Sequence, residues 1–161
     1  RLRLCPYEET DAWRPDSLPG KRGYDLAHKV LGSRAEWVVE NFLEANLGET
    51  FDVVLFMGIV YHMKNPLAAL EKACSFTKGV AVIESAAMEA ACFEGRAVAE
   101  FFERDEFAGD FSNWWEFNEK ALVGMCRAAG FRRVEVVRGY PINHPPAPAV
   151  GHYRLVLHAW K

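Results

Sequence analysis

With 161 residues, half of them apolar, the chain is long enough to bury one hydrophobic core and carries no signature of disorder. Its formal net charge is −3, and the basic pairs Lys21-Arg22 and Arg132-Arg133 read as solvated element ends, so the electrostatic footprint of a nucleic-acid surface is missing. No apolar run approaches the roughly 20 residues a membrane span needs, and no signal peptide is visible. The expectation is a soluble, cytoplasmic protein with no membrane contact. Cys5, Cys74, Cys92 and Cys126 lack CxxC spacing and read as small hydrophobes in a reducing compartment. His28, His144, His152 and His158 form no ligand spacing with each other or with the cysteines, so no metal is expected.

In chain order, Arg1–Thr10 has Leu2 and Leu4 in alternation, a weak strand signal interrupted by Pro6. The chain starts on Arg1 within what reads as structured sequence, which suggests a single domain over 1–161 that is incomplete at its N-terminus. Asp11–Arg22 holds Pro15, Pro19 and Gly20 and reads as a loop. Gly23–Leu31 places Tyr24, Ala27, Val30 and Leu31 on a helical stripe, with Gly32 to end it. Glu36–Phe42 reads as a short strand, and Glu44–Thr50 as a linker.

The densest signal is FDVVLFMGIVYHMKNP, Phe51–Pro66. Val53–Met57 is apolar on both faces, as in a central parallel strand covered by helices on each side. Asn65 and Pro66 then cap and open a helix to Phe76, with Leu67, Leu70 and Cys74 on one stripe. Gly79–Ser85 is a second apolar strand ending near Glu84, which makes a strand-helix-strand crossover. Residues 86–117 lose their period and become aromatic, as a substrate-covering insertion would. Asn118–Ala129 is a capped helix with Leu122, Met125, Cys126 and Ala129 in register, ended by Gly130. Arg133–Arg138 and Tyr153–Trp160 alternate as strands joined by the loop PINHPPAP, and so form an antiparallel hairpin on a mostly parallel sheet.

This order resembles that of class I methyltransferases, and FDVVLFMGIVYHMKNPLAALEKACSFTKGVAVIES resembles the post-cofactor half of S-adenosylmethionine-dependent enzymes of that class. It is similar in particular to the branch of tRNA wobble-uridine (mo5U/cmo5U) methyl- and carboxymethyltransferases. There the strand ends in G-V-L-Y-H-x-x-x-P, here Gly58-Ile59-Val60-Tyr61-His62 with Pro66. Asn113-Trp114-Trp115 and the following helix look like the same branch, with Trp115-Glu116-Phe117-Asn118 in place of its W-x-P-N. The resemblance implies an α/β Rossmann-like sheet lacking its first β-α unit, since no glycine-rich cofactor loop occurs in the sequence.

The resemblance also assigns roles. S-adenosylmethionine, plain or carboxylated, is the implied cofactor. Asp11 would match the acid that holds the ribose, and Glu40-Asn41-Phe42 the adenine contact, with the Asn41 amide oxygen accepting from the purine amine where the family carries Asp. Gly58 would let backbone approach a ligand, or mark a turn. Tyr61 would bind the cofactor or act beside His62, whose imidazole titrates in the range of a base. For His62 the alternative is a packed neutral ring, and for Tyr61 a structural hydroxyl bond. Glu84, Asn113, Trp114 and Trp115 are candidate acceptor contacts, or a solvated strand end and an aromatic cover for the sheet. The acceptor is a small molecule or a tRNA base. A tRNA enzyme, or a non-catalytic methyltransferase-fold interaction module, are the competing readings, and oligomeric state is left open.

Overall fold

The structure is a computed structural model that describes residues 19–38, 40–141 and 150–161. The chain divides into two compact units, Arg1–Ala45 and Asn46–Lys161. In the first, helix α1 spans Pro19–Leu31, so it begins four residues earlier than expected: proline suits the first turn because the N–H it lacks would have had no helical partner. The Lys21 ammonium lies 3.7 Å from the Trp37 ring centroid, and a 2.5 Å bond to Asp25 adds an i,i+4 pair.

Among the described residues of Glu36–Phe42 the expected strand is not found. Asn41 instead starts a turn, its carbonyl accepting from Glu44 and Ala45 N–H at 2.9 Å and its side chain from Leu43 N–H at 3.2 Å. A short amide that satisfies local backbone donors competes with a sheet ladder, and here it wins.

The second unit is a six-stranded mixed sheet with two helices: β1 Phe51–Met57, α2 Pro66–Phe76, β2 Thr77–Glu89, β3 Ala99–Phe101, β4 Trp115–Phe117, α3 Glu119–Ala128, β5 Arg133–Pro141 and β6 Gly151–Trp160. The order is β3-β4-β2-β6-β5, with β1 beside the first half of β2. β1 and β4 run parallel to β2, and β6 is inserted antiparallel between β2 and β5. The expected α/β sheet with an antiparallel C-terminal hairpin is thus observed, with both expected helices and their caps. The Asn65 side chain accepts from Ala68 N–H at 3.1 Å and that of Asn118 from Ala121 N–H at 2.9 Å.

The core lies between the sheet and the two helices. Ile83, Leu155 and Leu157 alternate inward on β2 and β6, and Leu70, Cys74, Leu122 and Cys126 meet them from α2 and α3, all nearly or fully excluded from solvent. Cys92, in contrast to Cys74 and Cys126, is exposed, because its short 3-10 turn Ala91–Phe93 has no buried face.

Two boundaries depart from the sequence pattern. β2 runs through Glu84 to Glu89, because β6 pairs with it residue by residue as far as Glu89↔Gly151. And β1 is buried on one face only: Phe56 is enclosed, while Val53, Leu55 and Met57 are 51–66% exposed. Its two-sided apolarity suggested a central strand; among the described residues β1 pairs with β2 alone.

Candidate functional site

The register Met57↔Glu84 sets the carboxyl end of β1 beside Glu84, five residues before the end of β2. After Met57 the chain turns sharply at Gly58, whose φ is +70°, a conformation that costs an L-residue about 1–2 kcal/mol. Gly58 N–H donates to the Glu84 carbonyl at 3.0 Å, and a 3-10 turn over Val60–His62 follows. The turn aims Tyr61 back at the strand ends. A Cβ placed on Gly58 would lie 3.6 Å from Arg154 Nη2 and Glu84 Oε2 and 4.0 Å from Tyr61 Oη. Three polar groups therefore face the side of the backbone that only glycine leaves bare.

Those groups form one network. Arg154, on β6 opposite Ala86, donates through Nε and Nη2 to both carboxylate oxygens of Glu84, the second contact at 3.2 Å, and through Nη1 to Tyr61 Oη at 3.1 Å. Burial works against its charge, but the Tyr61 hydrogen bond and the Glu84 carboxylate outweigh it and hold its pKa above the ordinary arginine value. Because Tyr61 Oη accepts from Arg154, its own O–H is directed elsewhere.

His62 is tied to the loop that precedes β4. Its Nδ1–H donates to the Ser112 carbonyl at 3.0 Å and lies 3.1 Å from Ser112 Oγ, which itself donates to Asp110 Oδ1 at 2.7 Å. A carbonyl can only accept, so Nδ1 carries the proton and Nε2 is the basic nitrogen. Trp114 N–H donates to the Tyr61 carbonyl at 3.0 Å, and Trp115 Nε1–H to that of Lys64 at 3.4 Å. Asn113 Nδ2 donates to the Phe107 carbonyl at 2.9 Å. Segment 102–115 is thus pinned to the Val60–His62 turn and to the Lys64 carbonyl that follows it.

The structure brings Gly58, Tyr61 and Glu84 together, and His62 adjoins them only through its ring, 4.1 Å from that of Tyr61. Asn113 and Trp114 are buried in the loop that precedes β4, with Trp115 half-buried beside them. Glu40 is exposed, and Asn41 spends its amide oxygen on its own turn. Phe42 and both of these lie in the first unit, and Asp11 lies outside the described residues. Sequence reading missed Arg154. Its signal was available: an arginine in an otherwise apolar, alternating strand must find a partner, and Glu84 was already singled out.

This sheet, with its inserted antiparallel strand, is the α/β fold of class I methyltransferases. The chain is similar to the N-terminal domain of EvdMO1, solved with S-adenosylhomocysteine and D-fucose, at a TM-score of 0.58 and 17% identity, covering 97% of this chain and 73% of that one. It is similar as well to the Burkholderia thailandensis 1,6-didemethyltoxoflavin-N1-methyltransferase, solved with that heterocycle and S-adenosylhomocysteine (TM-score 0.58, 19% identity, 91% of this chain and 58% of that one). A third likeness is to the magnesium protoporphyrin IX methyltransferase of Synechocystis PCC 6803 with S-adenosylmethionine (TM-score 0.53, 12% identity, 88% of this chain and 53% of that one). The chain thus spans little more than half of the last two, and 28% of whole EvdMO1. No protein-family model and no curated protein matches the sequence.

Proposed function

We propose that this chain is the acceptor-side part of an S-adenosylmethionine-dependent methyltransferase acting on a small molecule. The observation that carries the reading is the cradle at Gly58, where backbone at a strand end leaves a bare side facing Tyr61, Glu84 and Arg154. In open α/β sheets ligands bind at that edge. The residues suit a cofactor of this type: the gap at Gly58 is rimmed by a hydroxyl, a carboxylate and N–H groups, and an ammonium or ribose hydroxyl can be hydrogen-bonded by such a set.

When bound, S-adenosylmethionine supplies a methyl group on a sulfonium, already activated, so the protein's main work is positioning. Tyr61 offers its O–H to the bound molecule while Arg154 holds the phenol oxygen. Glu84 neutralises Arg154, which leaves no unbalanced cation in this network for a carboxylated cofactor and favours the plain one. Asn113, Trp114 and Trp115, with the rest of segment 86–117, cover the acceptor. His62 anchors that cover through Nδ1 and keeps Nε2 as a basic nitrogen. A tRNA acceptor fits less well, since phosphate contacts call for a basic surface and the chain is mildly acidic.

Calorimetric titration of S-adenosylhomocysteine and S-adenosylmethionine tests the reading, on this chain and on a longer form where the gene encodes one. Binding by either supports the enzyme. Folded protein that binds neither in both forms overturns it and favours a non-catalytic module.

A further inference from the structure

Helix α1 divides cleanly along its axis. Tyr24, Leu26, Ala27, Val30 and Leu31 share one face, and Lys21, Arg22, Asp25, His28 and Lys29 share the other. A surface helix of a globular protein turns such an apolar face inward. Here it is the polar side that folds back on the chain: the Lys21 ammonium sits over the Trp37 ring, and His28 Nε2–H donates to the Ala35 carbonyl at 2.8 Å. Those two side chains are half-buried, whereas Leu26, Val30 and Leu31 are 64–78% exposed. Trp37 and Val38 add exposed apolar surface after the helix.

Among the described residues of the first unit only Ala45 is buried, so the helix finds no apolar interior there. A 13-residue helix that contains Gly20 and Gly23 is marginal by itself in water, and draws its stability from what its apolar face covers. Charge selects the cover. Residues 19–38 hold four cations, Lys21, Arg22, Lys29 and Arg34, against two acids, of which Asp25 is already bonded to Lys21, although the whole chain is net −3. The cations also flank the apolar face, Arg22 and Lys29 along one border and Lys21 along the other. From there a long aliphatic stem can lie along an apolar layer while its charge stays at the surface of that layer, and an exposed Trp beside it suits the same boundary. An apolar layer bounded by negative charge is what an anionic lipid bilayer presents.

We propose that α1 is an interfacial helix, which lies on an anionic lipid surface with Leu26, Val30 and Leu31 among the acyl chains and Arg22 and Lys29 at the phosphates. No described helix is long and apolar enough to cross a membrane, and lying in the interface needs only one apolar face. The sequence expectation of no membrane contact is revised to that extent. The inference is independent of the methyltransferase reading, whose cradle belongs to the second unit.

Co-sedimentation of the full chain with sucrose-loaded vesicles tests it, using phosphatidylcholine alone and phosphatidylcholine mixed with phosphatidylserine. Binding to the mixed vesicles is expected, weaker on the neutral ones, and weakened by raising salt from about 0.1 M to about 0.5 M, which shortens the screening length. Leu26→Ser/Val30→Ser changes two exposed positions and is expected to match the wild-type circular dichroism of the second unit while partitioning about 10-fold less or worse, because both side chains forfeit apolar burial. Lys29→Glu, which leaves the apolar face intact, is expected to weaken binding to the mixed vesicles and not to the neutral ones. Folded wild-type chain that stays in the supernatant with mixed vesicles overturns the proposal, as does undiminished binding by the double variant. Sedimentation velocity without lipid adds a further check: a wild-type dimer that the double variant dissociates, with no vesicle binding, assigns the face to a second copy and overturns the lipid assignment.

Discussion

Replacing Arg154 by Met removes the cation from Glu84 while keeping most of the side-chain volume. Glu84 is 12% exposed and Arg154 32%, and the contact is bidentate with a third bond to Tyr61. A wholly buried pair broken on one side costs about 3–5 kcal/mol, and an exposed pair about 0–1. This pair lies between, nearer the buried case for the carboxylate, so about 2 kcal/mol is expected. At about 2–4 °C per kcal/mol for a chain of this size, the melting temperature should fall by about 4–8 °C. Urea titration should show a lower midpoint with an unchanged slope. The double variant R154M/E84Q is expected to be more stable than R154M alone, because its amide no longer strands a charge. Melting of R154M at the wild-type temperature, or strict additivity in the cycle, would refute the claim that the two groups hold one another.

Further outcomes follow from the same geometry. Gly79→Ala should be more destabilising than Gly58→Ala in urea titration: a Cβ on Gly79 would lie 2.5 Å from the Asp52 carbonyl at the β1 bulge, whereas one on Gly58 meets nothing closer than 3.6 Å and bears only its positive φ. Asn118→Ala should cost about 2–4 kcal/mol by the same method. That side chain caps α3, takes Val98 N–H at 3.0 Å and donates to the Arg96 carbonyl at 2.7 Å. Burial, with Glu119, Glu89 and Glu116 nearby, pushes the Tyr153 phenol up to about 12. A folded pKa above the unfolded one gives stability that is present at lower pH and is lost as pH rises from about 10 to 12, so Tyr153→Phe should flatten that decline in denaturation curves. Among Cys74, Cys92 and Cys126, iodoacetamide at mildly alkaline pH should label Cys92 first by mass spectrometry. Cys74 and Cys126 are buried, and burial, aided by Cys74, raises the Cys126 thiol to about 12.

What the sequence disclosed was set by how local its cause is. Asn65-Pro66 and Asn118 mark helix starts because a cap needs only its own turn, and both helices begin where those residues stand. The strand-helix-strand unit was legible for the same reason. Non-local pairing was less so: Glu36–Phe42 has strand composition but no partner strand among the described residues, while β2 outran its expected end because β6 supplies a partner to Glu89. The exposed face of β1 is another case, since an apolar run states what a strand tolerates on each side and not what is packed there. Gly58, Tyr61 and Glu84 were readable from a strand-end pattern. Arg154 was not, because sequence separations of 70 and 93 residues join it to Glu84 and Tyr61.

The central claim is that the Gly58–Tyr61–Glu84–Arg154 cradle receives the cofactor. Adding S-adenosylhomocysteine to isotopically labelled protein and following the Gly58 amide, the Tyr61 ring and the Arg154 side-chain N–H signals by NMR tests it most directly. The account predicts saturable shifts concentrated on those three. Saturable binding that leaves them unmoved, with shifts confined to other parts of the chain, would contradict it.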